Sequence, residues 1–315
     1  MSSNDYSKLL RSYNWTGEIN SRLPTTYVVA DGDGFYTLRY SFFQNYSDHE
    51  ISPDYDESDP EFKILESGFV IQPLSQTQES LVNTFLSGPF TEFDVFFGSV
   101  ANVKFEQGGL SDSHITIGNL DISYAGFQNN AHGGGYAYNW APSSSYPEGR
   151  YGDIWFNQDM DTDQNGQPDW ESGDATVGSK VYLTVLHELA HAMGLADISS
   201  TSLKGTYMDS HKYSIMTSTY APGMEFTPGG LQLLDIAALQ AIYGVNTETR
   251  KEDTVYDIYG GAFASAKQHG AFLYTIWDGG GIDTIDVSGF SSLGFGAEID
   301  LREGRFSSIG LDRYF

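Results

Sequence analysis

Cysteine is absent from this chain, which excludes disulfides, thiol nucleophiles and thiolate metal ligands alike. Basic residues are scarce: 16 lysines and arginines stand against 42 aspartates and glutamates, a formal charge of −26. That surplus repels phosphate backbones and anionic headgroups, so neither nucleic acid nor membrane is expected as a partner. No apolar run approaches the length of a bilayer span, and Met1–Arg22 shows no apolar stretch of leader type. Taken alone, these absences read as cytoplasmic, an expectation that the motifs below reverse. What the chain has in excess is carboxylate oxygen, which either aids solubility in salty surroundings or binds calcium. Its 315 residues suffice for one large domain or two.

The chemistry concentrates in Leu186–Asp197, which reads L-H-E-L-A-H-A-M-G-L-A-D. On a helix, His187 and His191 leave the same face one turn apart, as two ligands of one metal ion must. Glu188, beside the first ligand, can reach a water at the metal without ligating it. Gly194 lets the chain leave the helix with a positive φ, and Asp197 can then swing back as a third ligand. Three ligands with a fourth position open to water describe catalytic rather than structural zinc. His211 is a rival third ligand, and His132 reads as a loop histidine.

Patterning places this helix in an α+β chain. The first 22 residues suit a short amphipathic helix or a propeptide-like segment. Strands are expected at Thr37–Phe43, Val100–Glu106, His114–Gly118 and Gly152–Asn157, and an acidic loop at Asp48–Glu61. Helices are expected at Gln76–Leu86, from Ser179 as N-cap to Met193, and at Pro228–Tyr243. Gly133–Trp140 (G-G-G-Y-A-Y-N-W) is glycine-flanked and aromatic. It suits an exposed sheet edge, either an ordinary one or one to which an extended peptide adds as a further strand.

Asp161–Ser172 matches the calcium-loop pattern D-x-[DN]-x-[DN]-G, with Asp161, Asp163 and Asn165 at alternate positions and Asp169 at the ninth. Ser172 cannot serve as the bidentate twelfth ligand, so Glu171 or Asp174 would substitute; an acidic surface turn is the alternative. Further on, Trp277–Thr284 (W-D-G-G-G-I-D-T) mixes glycine turns and carboxylates as calcium-bound β-rolls do.

His187, Glu188, His191 and Gly194 resemble the metzincin zinc-peptidase pattern H-E-x-x-H-x-x-G-x-x-H, with Asp197 in place of the last histidine. Met216, in Tyr213-Ser-Ile-Met, resembles the turn methionine that floors the zinc in that family. Ordered matches at Ser99–Phe105, His114–Asn119, Tyr136–Tyr138, D-I-A-A-L-Q-A-I-Y-G and W-D-G-G-G-I-D-T sharpen the resemblance to the serralysins, secreted bacterial peptidases. It implies a zincin-like catalytic domain over 1–245 and the start of a calcium-binding β-roll domain over 246–315. It also implies one roll calcium on carbonyls of Arg250, Glu252, Thr254 and Gly280 with the side chains of Asp278 and Asp283. The nonapeptide repeats that normally follow do not appear before Phe315, so the sequence reads as truncated or as a short relative. The family's tyrosine two residues after the methionine is Ser218 here, and Tyr220 is the candidate to replace it.

The function implied is a secreted, calcium-stabilised zinc endopeptidase with Glu188 as general base, exported in one step without an amino-terminal leader. Polypeptide substrates and a proteinaceous inhibitor are the partners expected, acting on a monomer. Two alternatives share the motifs: a narrow-specificity processing metallopeptidase, and an inactive calcium-binding module.

Overall fold

The computed structural model describes residues 6–9, 30–44, 71–90, 94–120, 135–137, 152–160, 168–170, 175–222, 226–260, 272–290 and 296–309. A five-stranded sheet in the order β2-β1-β3-β5-β4 carries the first part of the chain. It is built from β1 (Tyr36–Phe42), β2 (Val103–Gln107), β3 (Ile115–Leu120), β4 (Gly135–Ala137) and β5 (Ile154–Asn157). The first four strands in that order run parallel, and β4 pairs antiparallel with β5 as the outermost strand. Parallel strands are covered on both faces, which is why Ile115, Thr116 and Ile117 are all buried in succession. Phe43 stacks on Trp155 at 4.9 Å across Gly118, where a Cβ would stand 2.9 Å from the indole.

Helix α1 (Gln76–Ser87) starts at Ser75, whose hydroxyl accepts from Gln78 N while the Gln78 side chain accepts from Ser75 N. This capping box satisfies two end donors. The Gln78 amide also exchanges hydrogen bonds with Asn119, locking the cap to β3. Leu81, Val82, Phe85 and Leu86 form the buried side expected of it. Phe85 meets Tyr182 edge-on at 4.8 Å and so joins α1 to helix α2 (Lys180–Ala192). Helix α3 (Leu233–Tyr243) closes the layer, and the Tyr243 hydroxyl donates to Met193 O at 2.9 Å.

Two element starts differ from expectation for reasons visible in the hydrogen bonds. The strand expected from Val100 begins at Val103, because Phe97–Val100 forms a helical turn with Ser99 Oγ bonded to Phe96 N and O. The helix expected from Pro228 begins at Leu233. Thr227–Pro228 is instead a strand (β6), Gly229 N donates to Leu273 O, and Leu231 N donates to Val95 O. Those donors are engaged across the chain and cannot serve a helix. Of the amino-terminal helix, only Tyr6–Leu9 is described, as a 3₁₀ turn. The acidic loop at 48–61 lies outside the described residues.

Beyond α3, short strands pair in twos: β6 with β8 (Phe272–Leu273), β7 (Val255–Asp257) with β9 (Thr284–Asp286), and β10 (Ala297–Glu298) with β11 (Ser308–Ile309). The Arg250 guanidinium ties this part to the first, donating to Asp94 O and Trp277 O at 2.8 Å each. Among the described residues no helix is long and apolar enough to cross a membrane.

Candidate metal centre

Ser179 caps α2 by accepting from Tyr182 N at 3.1 Å, and Val181, Val185, Leu186 and Leu189 bury one stripe of the helix. That stripe fixes the helix's rotation, so His187 and His191 emerge together with ring centroids 4.6 Å apart. Gly194 takes φ +104°, a left-handed conformation that L side chains rarely adopt, and Leu195 N bonds back to Ala190 O. The chain thereby doubles under the helix. Ile198 N donates to Met216 O at 2.8 Å, which fixes Asp197 just before it. Asp197 Oδ1 then lies 3.2 Å from His187 Nε2 and 3.4 Å from His191 Nε2.

Each ring is oriented from behind. His187 Nδ1 is 2.9 Å from Ile215 O, and His191 Nδ1 is 2.8 Å from Leu195 O. A carbonyl only accepts, so Nδ1 carries the hydrogen in both rings and Nε2 faces Asp197. Neutral rings would then turn two lone pairs on a carboxylate, an arrangement held together only by a shared proton or a cation. The donor atoms of these three residues lie within 4.8 Å of one another. Four ligands at about 2.0–2.1 Å around zinc stand about 3.3 Å apart, so the spacing fits zinc, as do two imidazoles plus a carboxylate.

In the metal-free protein the surroundings favour a proton in that place. Burial pulls the His187 imidazole down, but the Asp197 hydrogen bond, the charge of Glu188 and the Ile215 carbonyl outweigh it and raise it to about 9. Burial pushes the Asp197 carboxyl up, and hydrogen bonds from His187 and His191 reverse this and hold it well below the usual carboxylate range. Glu188 follows His187 directly and is buried.

Met216 is fully buried in the turn that supplies the Ile215 carbonyl. Tyr220 packs edge-on against His211 with centroids 5.0 Å apart and leaves 41% of its surface exposed. His211, the rival ligand, points Nε2 at Thr217 O at 2.7 Å and is not one of the three converging residues. In the turns after α3, Asp278 accepts from Gly280 N and from the Tyr256 hydroxyl, and Asp283 accepts from Thr254 N. Arg250 sits at φ +52°, and Thr254 Oγ1 donates to Glu252 O. A Cβ on Gly279 would fall 2.4 Å from Thr247 O, and one on Gly281 2.7 Å from Glu252 O, so the two backbones touch where only glycine fits. Of the earlier segment expected as a calcium loop or an acidic surface turn, Asp161, Asp163 and Asn165 lie outside the described residues. Asp169 is buried, with its N–H donating to Met160 O. His132 also lies outside them.

Sequence reasoning missed Asp235. Its fully buried carboxylate accepts from Ser214 Oγ (2.6 Å), Ile215 N (2.9 Å) and Gln232 N (2.9 Å). Burial raises it to about 6 against the pull of those three donors. The available signal was a single acid within the apolar run Leu233-Leu-Asp-Ile-Ala-Ala-Leu239.

Fold and site define an α+β protein in which two histidines and one carboxylate of a helix-and-turn segment converge on one point. Comparison places it among known proteins. Residues 245–312 match the family model described as Peptidase M10 serralysin C terminal. The chain is 31% identical over 232 residues to the Serralysin of Photorhabdus sp. (strain Az29), covering 67% of this chain and 44% of that one. It is 31% identical over 241 residues to Metalloprotease AprA of Pseudomonas entomophila (strain L48), covering 68% and 45%. With the Serralysin of Proteus mirabilis it shares 30% over 243 residues, covering 68% and 46%. The chain spans slightly under half the length of the curated relatives it matches.

Proposed function

We propose that this protein is a secreted, zinc-dependent endopeptidase that hydrolyses peptide bonds of polypeptides. The observation that carries this reading is the convergence of His187, His191 and Asp197 on one point beside the buried Glu188. The names of its relatives, serralysin and metalloprotease, support the same chemistry and an extracellular location. When bound, zinc supplies Lewis acidity that polarises a peptide carbonyl and makes water a better acid. His187 and His191 would hold it through Nε2 and Asp197 through its carboxylate. Glu188 takes a proton from the attacking water and delivers it to the leaving amine.

An extended substrate would add along β4, the outermost strand of the sheet. Tyr220 takes the place of the tyrosine absent at Ser218 and presents its phenol to the substrate. Tyr220→Phe should then lower kcat without changing zinc content. Carbonyls of Arg250, Glu252, Thr254 and Gly280 with Asp278 and Asp283 hold a calcium ion, supported by the abutting glycine-rich turns. Asp161, Asp163, Asn165 and Asp169 hold a second.

The test is metal analysis with casein cleavage for three proteins. Wild type should carry zinc and cleave. Glu188→Ala should keep zinc and lose turnover by about 10²–10⁴-fold, the contribution typical of a positioned general base. Asp197→Ala should lose most of both. Wild type that binds zinc without cleaving any polypeptide would favour an inactive calcium-binding module, and cleavage at one site of a random peptide library a narrow processing enzyme.

A further inference from the structure

The carboxylate of Asp235 lies one helix away from the metal centre, yet a continuous run of hydrogen bonds joins the two. His187 Nδ1–H donates to Ile215 O at 2.9 Å. That carbonyl belongs to the same peptide unit as Met216 N–H, which donates to Ser214 Oγ at 2.9 Å. The Ser214 hydroxyl in turn donates to Asp235 Oδ1 at 2.6 Å. Every donor in this series points the same way, from imidazole to carboxylate. Asp235 Oδ2 accepts from Ile215 N and Gln232 N, both at 2.9 Å, so the acceptor is held by the turn and by its own helix at once. Ser214, Met216 and Asp235 are fully buried, so water does not compete for these groups.

We infer that Asp235 is a positioning residue for the metal centre, acting through Ser214 and the Ile215–Met216 peptide to fix and polarise His187. This rests on the reading of His187, His191 and Asp197 as zinc ligands. The physical argument has two parts. A negative charge at the end of aligned hydrogen bonds draws electron density along the peptide, and the carbonyl at its far end becomes a stronger acceptor. A stronger acceptor at Nδ1 makes Nε2 a better electron donor and narrows the ring's rotation, which is how groups behind a metal ligand commonly act. His191 donates elsewhere, to Leu195 O in the turn after Gly194. The two imidazoles should therefore differ in their response to a change at residue 235 or 214.

The experiment compares Ser214→Ala, Asp235→Asn and Leu239→Ala. Ser214→Ala cuts the series at one atom and leaves Asp235 with its two N–H donors. Asp235→Asn removes the charge but faces three donors with an amide. Leu239→Ala loosens the same helix α3 at a fully buried apolar position without touching the series. For each protein, zinc affinity is measured by chelator competition, cobalt(II) substitution by visible absorption, and unfolding by calorimetry.

Ser214→Ala should weaken zinc binding by about 10–100-fold and shift the cobalt bands, while Leu239→Ala lowers Tm at nearly wild-type affinity and an unaltered spectrum. Asp235→Asn should reproduce the Ser214→Ala spectrum where it folds. Equal affinity and an unshifted spectrum in Ser214→Ala would overturn the inference while leaving the zinc reading intact. Affinity losses that track Tm alike in Ser214→Ala and Leu239→Ala would overturn it too, reducing Asp235 to a structural support. A wild type that takes up no zinc would remove both.

Discussion

The side chain on which the chemistry turns is Asp197. With zinc held as proposed, a carboxylate where many relatives of the motif carry imidazole would add negative charge to the ligand set, and a more electron-rich zinc is a weaker Lewis acid. The acidic limb of the activity profile should therefore lie at higher pH than in three-histidine enzymes, and Asp197→His should move it to lower pH. An unshifted or alkaline-shifted limb in that variant contradicts the argument. His187 gives a second prediction. Its folded-state value, about 9, lies above the 6.5 of an unperturbed imidazole. Its pairing with Asp197 thus stabilises the metal-free fold fully below pH 6.5 and loses that effect as pH rises through about 9. Zinc must displace the same proton. The Tm difference between zinc-loaded and metal-free protein should widen from pH 6.5 to 9, and calorimetry should show a proton released on binding at pH 7. A difference independent of pH over that window would mean that His187 and Asp197 do not share a proton.

Among elements, α2 was legible because its signals are local. Ser179 as cap, a stripe of Val and Leu, and two histidines one turn apart all lie within fifteen residues, and helix periodicity alone aligns them. Ser179→Ala should destabilise the protein by about 1 kcal/mol in denaturant titration, the usual worth of an N-cap, with little change in zinc affinity. A large loss of zinc would mean that the cap also sets the helix's position. The start of α3 was not legible. Pro228-Gly-Gly reads as the run-up to a helix, but Leu231 N and Gly229 N are claimed by Val95 and Leu273, more than a hundred and some forty residues away in sequence. The same holds for β2, whose Val103–Gln107 is set by pairing with Tyr36–Tyr40 of β1, some seventy residues away. Such boundaries are decided by partners that no local window contains.

At the scale of the whole molecule, calcium bound as proposed should be coupled to charge. With a formal charge of −26, the folded state brings carboxylates together that repel one another at low ionic strength. Removing calcium with EGTA should lower Tm by several degrees, more in low salt than in high, because salt screens exposed charge over about 10 Å at 0.1 M. Asp278→Asn should lose most of this calcium dependence. A Tm indifferent to EGTA would remove calcium from the proposed turn of Arg250–Thr254 and Asp278–Asp283. The Arg250 clamp on Asp94 and Trp277 carries that turn's geometry to the segment beside α3, so loss of the proposed calcium should be felt beyond the turn itself.

The sequence by itself determined the pieces whose information is local: the helix carrying His187 and His191, the glycine at which the chain doubles back, and the methionine turn. Periodicity and spacing suffice there because neighbours in sequence are neighbours in space. Only the tertiary structure decided that Asp197 rather than His211 completes the triangle, since both lie in loops whose paths depend on distant anchors. It alone placed Asp235 behind His187, through contacts between residues about twenty and twenty-eight positions apart, and laid the turns at 247–254 and 278–284 against each other. Those pairings follow from burial and hydrogen-bond satisfaction across the whole fold, and no stretch of the chain contains them.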